Sequence, residues 1–253
     1  MTWPEHVLRE CFERLKNYYN QILSQPEPDV QEHKVQRVIV LSALAFGFES
    51  ILAVAQEVNR GRVVQAAILC RPLYEAAAQV CWASNEPGGY KALEAASLEA
   101  EAYWLRSAIK VAPWQGTCED YLQEIVAEST RLGCQKRVPG MQGILLRLCQ
   151  HDGRVGEEAC KMTKFHYSIY ELFSLFQHGN IRMVGPAVSR DSVAQNAVTL
   201  CVFSTQLLVA AAAPITVSSF DEAQRLVACE TDKTMDLMGK CGIEHFRCFS
   251  AQC

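Results

Sequence analysis

Residues 66–83 read AAILCRPLYEAAAQVCWA, and the fold turns on how this stretch is understood. It shows no strict alternation of polar and apolar residues, so a half-buried strand is the poorer fit and a largely buried helix the better one. Arg71 and Glu75 stand four residues apart in it, on one helix face, where an ion pair is geometrically available. Positions 66–70 and 76–83 are almost wholly apolar, so in a central helix both charges are partly desolvated and need compensation. Pro72 lacks an amide hydrogen and clashes with the carbonyl four residues back, so a kink or local break is expected beside the charges.

Segments rich in Ala, Leu, Glu and Gln recur along the chain between Gly, Pro and Asn breaks, which argues for an all-α multi-helix bundle of about seven to nine helices. Pro4 suits a first helical position, and the helix it opens runs to about Leu23, before QPEPD. Further helices are expected at about 30–58, from NRGR at 59–62 to Trp82, 90–110, 119–131, up to Gln150, 155–177, 191–213 and 219–238. No internal repeat or low-complexity linker divides them. The expectation is therefore one domain over 1–253, with 112–153 as an insertion-like flap and 239–253 as a Cys-rich tail.

With 253 residues, 49% of them hydrophobic, the chain can bury a sizeable core. A net charge of −4 gives no field suited to nucleic acid or anionic lipid. The 12 cysteines are scattered, form no C-x-x-C, and follow no secretory leader, so most are expected to be small buried hydrophobes in a reducing cytosol. Two stretches resist a soluble, cytoplasmic assignment. Val38–Ala55 carries only Glu49, and Ser192–Phe220 carries no charge at all, lengths that suit a membrane span. Gln195, Asn196, Ser204, Thr205 and Gln206 would need partners in lipid, and no Lys/Arg cluster flanks either run, so buried bundle helices are expected and no membrane.

A second set of polar residues lies in FHYSIYELFSLFQHGN, 165–180. Ser174 and His178 are i and i+4; Tyr167 and Glu171 follow an adjoining stripe, and Tyr170, Ser174 and Gln177 continue it. His178 falls in the last turn, where the helix dipole favours its protonated form and an imidazole can donate, accept or shuttle a proton. Arg71, Glu75 and His178 are thus the candidate catalytic residues, with Glu49, Tyr167, Tyr170, Ser174 and Asn180 as candidate binding residues. Glu49 is expected either to pair with Arg71 or to add a second acid. The plainer alternative keeps Arg71 and Glu75 as a structural pair and His178 as a helix cap.

The pattern A-x-x-L-x-R-P-L-x-E-A at Ala66–Ala76, followed by Y-x-x-x-S-x-x-x-H-G at Tyr170–Gly179, resembles bacterial all-helical domain families of unknown function over about residues 30–213. The resemblance implies that Arg71, Glu75, Ser174 and His178 are signature positions and implies no activity. A helical ribonuclease of a defence or toxin system is a third possibility. Those proteins set an Arg and a His a few residues apart, whereas the positions at that distance upstream of His178 are Glu171, Leu172 and Phe173, and Arg147 and His151 are too close.

Cys241, His245, Cys248 and Cys253 could hold zinc, but their spacing matches no common knuckle and the terminus would fray, so no metal is expected. His151 with Asp152 and Gly153 reads as a turn, and His166 as a helix-face residue. PGMQG at 139–143 fits no nucleotide fingerprint, no G-x-S-x-G elbow occurs, and no E-x-x-H supports a di-iron site, so no cofactor is implied. Trp82, Trp104 and Trp114 are expected in core or flap packing. The functional expectation is a cytosolic helical protein with a partly buried Arg/Glu/His pocket for a small anionic or carbonyl-bearing ligand. The alternative is a non-catalytic interaction module, as a homodimer.

Overall fold

A computed structural model describes residues 3–110, 115–177, 189–217 and 219–240. Among these residues the chain forms nine helices and no strand, the all-α architecture expected. They are α1 Trp3–Ser24, α2 Gln31–Asn59, α3 Val63–Asn85, α4 Gly89–Ala108, α5 Gln115–Leu132, α6 Met141–His151, α7 Gly156–Gln177, α8 Arg190–Thr216 and α9 Phe220–Lys240.

Helices α3 and α8 cross at the centre of the bundle. Helix α8 is covered by α1, α2, α3 and α9, while α3 also touches α4, α6 and α7. A helix without charge past its first turn can sit there because its polar side chains find partners inside the fold. Thr199, Ser204 and Thr205 donate to the carbonyls of Gln195, Leu200 and Cys201 at 2.9, 2.7 and 2.8 Å, one turn back. The Gln206 amide donates to Thr231 Oγ1 at 2.8 Å and accepts from Thr234 Oγ1 at 2.6 Å, both on α9. Length and apolar composition would let Gln31–Asn59 and Asp191–Thr216 cross a membrane, but their most apolar windows differ in setting: 89% of the second is buried within the bundle against 39% of the first.

Pro72 does not break its helix: α3 runs unbroken from Val63 to Asn85. Pro72 itself is exposed, so its ring lies away from the core. The segment read as a flap over 112–153 divides in two. Helix α5 packs on α4 around a small separate core of Ala102, Leu105, Cys118 and Ile125. Helix α6 instead inserts Ile144, Leu145, Leu148 and Cys149 into the main core against α3 and α7. Trp82 is fully buried as expected, Trp104 is exposed on α4, and Trp114 lies outside the described residues.

Six of the nine described cysteines are buried, and all nine are free thiols. Cys70 and Cys201 lie with sulfurs 3.8 Å apart where α3 crosses α8, and Cys70 turns toward the Ala197 carbonyl at 3.4 Å. The turn from α3 to α4 depends on glycine. Gly88 has φ +71°, and a Cβ on Gly89 would fall 2.5 Å from the Ala83 carbonyl oxygen and 2.6 Å from Ala83 Cα. Backbone atoms cannot yield as a side-chain tip can. Gly89→Ala is therefore expected to lower stability by about 1–3 kcal/mol, read as a fall in melting temperature.

Candidate functional site

On α7, Tyr167, Tyr170, Ser174 and Gln177 follow one another by three, four and three residues, which places them along one stripe. Arg71 projects from α3 onto that stripe. Its Nη2 donates to the Tyr170 hydroxyl at 2.9 Å, its Nη1 donates to Gln177 Oε1, and its guanidinium lies 5.0 Å from the centre of the Tyr170 ring. The Tyr167 ring leans against Tyr170 at 5.8 Å. Every one of these partners is electrically neutral. Two of the five N–H donors of the guanidinium are thus engaged, and its buried Nε has no hydrogen-bond partner among the described residues.

Two expected pairings are not formed. Glu75 is half-buried one turn from Arg71 on α3, yet no ion pair joins them, because the guanidinium turns across to α7. Glu49 is exposed on α2 and makes no ion pair with Arg71. Gly47, Ser50 and Ile51 turn inward, while Glu49 shares the outward side of the helix with Phe46 and Leu52. Tyr167, Tyr170 and Ser174 are half-buried on the stripe. His178 and Asn180 lie outside the described residues, as do Cys241, His245, Cys248 and Cys253. Among the described residues no group of three or more His, Cys, Asp or Glu could hold a metal ion.

Beneath Arg71 the same two helices share a second polar contact that sequence reasoning undervalued. Tyr74 and His166, both fully buried, join hydroxyl to Nδ1 at 2.9 Å. With Tyr74 as donor the hydroxyl proton is satisfied and the ring proton sits on Nε2. Phe203 meets the imidazole edge-on at 5.0 Å. Burial, assisted by the charge of Arg154, depresses the His166 pKa to about 3, and burial holds the Tyr74 hydroxyl well above its usual range. His166 is therefore neutral near pH 7. The local signal was only an aromatic neighbourhood, and its partner lies 92 residues earlier.

His151 and Arg147 belong to a different cluster. With Lys136 they surround Glu86 at 3.5, 3.1 and 2.8 Å, tying α6 and the segment before it to the end of α3. Burial alone would raise the Glu86 carboxyl, but hydrogen bonds from Lys136, Arg147 and His151 bring it below its usual range. A carboxylate already shared among three basic groups is a clamp on the turn.

The described residues thus form an all-α bundle in which the Arg71 guanidinium is held between α3 and α7 by the neutral side chains of Tyr170 and Gln177. No protein-family model, curated protein or solved structure matches the chain.

Proposed function

We propose that the protein is a soluble, cytosolic helical bundle whose α3–α7 stripe takes a small anionic or carbonyl-bearing ligand, with Arg71 as its anchor. The observation that carries this reading is that Arg71 is positioned by Tyr170 and Gln177 and neutralised by no described carboxylate. Such a group is aimed and partly desolvated, and keeps charge and donors for an incoming oxygen. Tyr170 and Gln177 set its plane. Tyr167 and Ser174 extend the stripe, and Glu75 supplies an acceptor or base one turn away. His178 and Asn180, next in the chain after Gln177, are assigned acid/base and binding roles. Membership in the bacterial helical family is proposed on the same residues, since Arg71, Glu75 and Ser174 stand on two helices that pack together.

Calorimetric titration with acetate, citrate and inorganic phosphate as probes tests the site. Binding of at least one is expected, weakened about 10- to 100-fold by Arg71→Met, the cost of losing hydrogen bonds to a charged group. Equal affinity in the variant, or no heat from any probe, counts against the site. The interaction-module alternative is favoured by a different observation, the apolar outward face of α2.

A further inference from the structure

Helix α2 keeps a row of residues exposed along one side: Val38, Ser42, Phe46, Glu49, Leu52 and Gln56. Val38 is 61% exposed, Phe46 41% and Leu52 49%, large apolar side chains in contact with water on one helix face. The spacing is four, four, three, three and four residues, so the row runs straight along the axis for about 27 Å. A groove of about 320 Å³ between α1 and α2, lined by Leu8, Phe12, Leu52 and Gln56 together with the charged Glu5, Arg9 and Glu13 of α1, widens it at one end.

The charges on this face identify what covers it. Glu49 and Ser42 sit near its middle, and a carboxylate pressed into lipid would lack a partner. The basic residues at the ends of α2 are occupied by the chain itself. Arg37 donates to the carbonyls of Ile22, Gln25 and Pro26 at 2.9, 2.9 and 2.6 Å, Lys34 pairs with Glu27 at 3.3 Å, and Arg60 and Arg62 flank Glu57 at 3.1 and 3.6 Å. They do not form a cluster directed at anionic headgroups. A second copy of the same helix meets the requirements better. Run parallel about a two-fold axis, it would set Glu49 against Glu49. Run antiparallel with the axis between Ala45 and Phe46, it places Phe46 against the small Ala45, Val38 against Ala53, and the Ser42 hydroxyl against the Glu49 carboxylate. The second copy's Val35 and Val38 then come alongside the groove.

We propose that α2 is an isologous dimer interface, formed with a second copy of this chain in antiparallel register through Ser42–Glu49 pairs. It is independent of the Arg71 site and stands or falls without it. Light scattering of the full chain at micromolar concentration reads it directly. The expected mass is twice 28.2 kDa. Ser42→Glu, which sets carboxylate against carboxylate, is expected to give the monomer mass with unchanged helical circular dichroism, and Ser42→Glu with Glu49→Lys to restore the dimer. A monomeric wild type, a dimeric Ser42→Glu protein, or failure of the double variant to recover overturns the proposal. So does flotation of the wild type with phosphatidylcholine/phosphatidylglycerol vesicles that Phe46→Arg abolishes, since the face would then serve lipid.

Discussion

Replacing Glu230 by alanine is expected to lower stability by about 3–5 kcal/mol, the usual cost of breaking a buried ion pair from one side. Glu230 lies on α9 and Arg14 on α1, both buried, with Arg14 Nε donating to Glu230 Oε2 at 2.8 Å. Arg14 Nη2 also donates to the Glu230 carbonyl and to Thr234 Oγ1, each at 3.1 Å, and Thr234 passes the chain on to Gln206 of α8. Without the carboxylate, Arg14 remains charged inside the fold beside carbonyl and hydroxyl dipoles alone. Lys233, which pairs with Glu230 at 2.6 Å, is half exposed and can turn to water, so Arg14 carries the loss. The joint change Arg14→Met with Glu230→Leu is expected to regain most of the stability, because it removes both desolvated charges and keeps the volume. Chemical denaturation of the three proteins checks this, and a double variant no better than Glu230→Ala contradicts the assignment.

The second large effect is on acid stability. His166 titrates near pH 6.5 when unfolded and at about 3 when folded, so between these values the unfolded chain binds the proton that the native core excludes. Stability therefore falls as pH drops through that window, by up to about 1.4 kcal/mol per pH unit from this residue. Above pH 6.5 the residue adds no pH dependence, and below about 3 its effect levels off. His166→Asn retains an acceptor near the Nδ1 position for Tyr74 and cannot titrate. Denaturation at a series of pH values is expected to show a shallower decline for the variant between pH 6 and 4. Parallel curves would mean that the imidazole is not buried neutral.

The helices were legible in the sequence because glycine, proline and asparagine punctuate long apolar periods. Gly61, Gly88 and Gly153, all at positive φ, sit in breaks between helices. The pairing of α3 with α7 was legible too, since each carries polar residues its surroundings do not explain. The partner of Arg71 was not. An i,i+4 spacing shows that Glu75 can be reached, but says nothing of Tyr170 and Gln177, 99 and 106 residues away, which hold the guanidinium instead. Glu49 misled for a related reason: apolar neighbours along a helix do not tell which side a charge occupies. The Arg14–Glu230 pair, 216 residues apart among ordinary charged neighbours, carries no local signal at all.

The measurement closest to the central claim is the melting of the wild type and Arg71→Met proteins with and without inorganic phosphate or citrate. If the guanidinium is held by neutral groups for a ligand, the variant folds with a loss of only about 1 kcal/mol, and the rise in melting temperature that an anion gives the wild type disappears. A loss of several kcal/mol without added anion, or the same anion-dependent rise in both proteins, would show that Arg71 holds the bundle together and receives nothing.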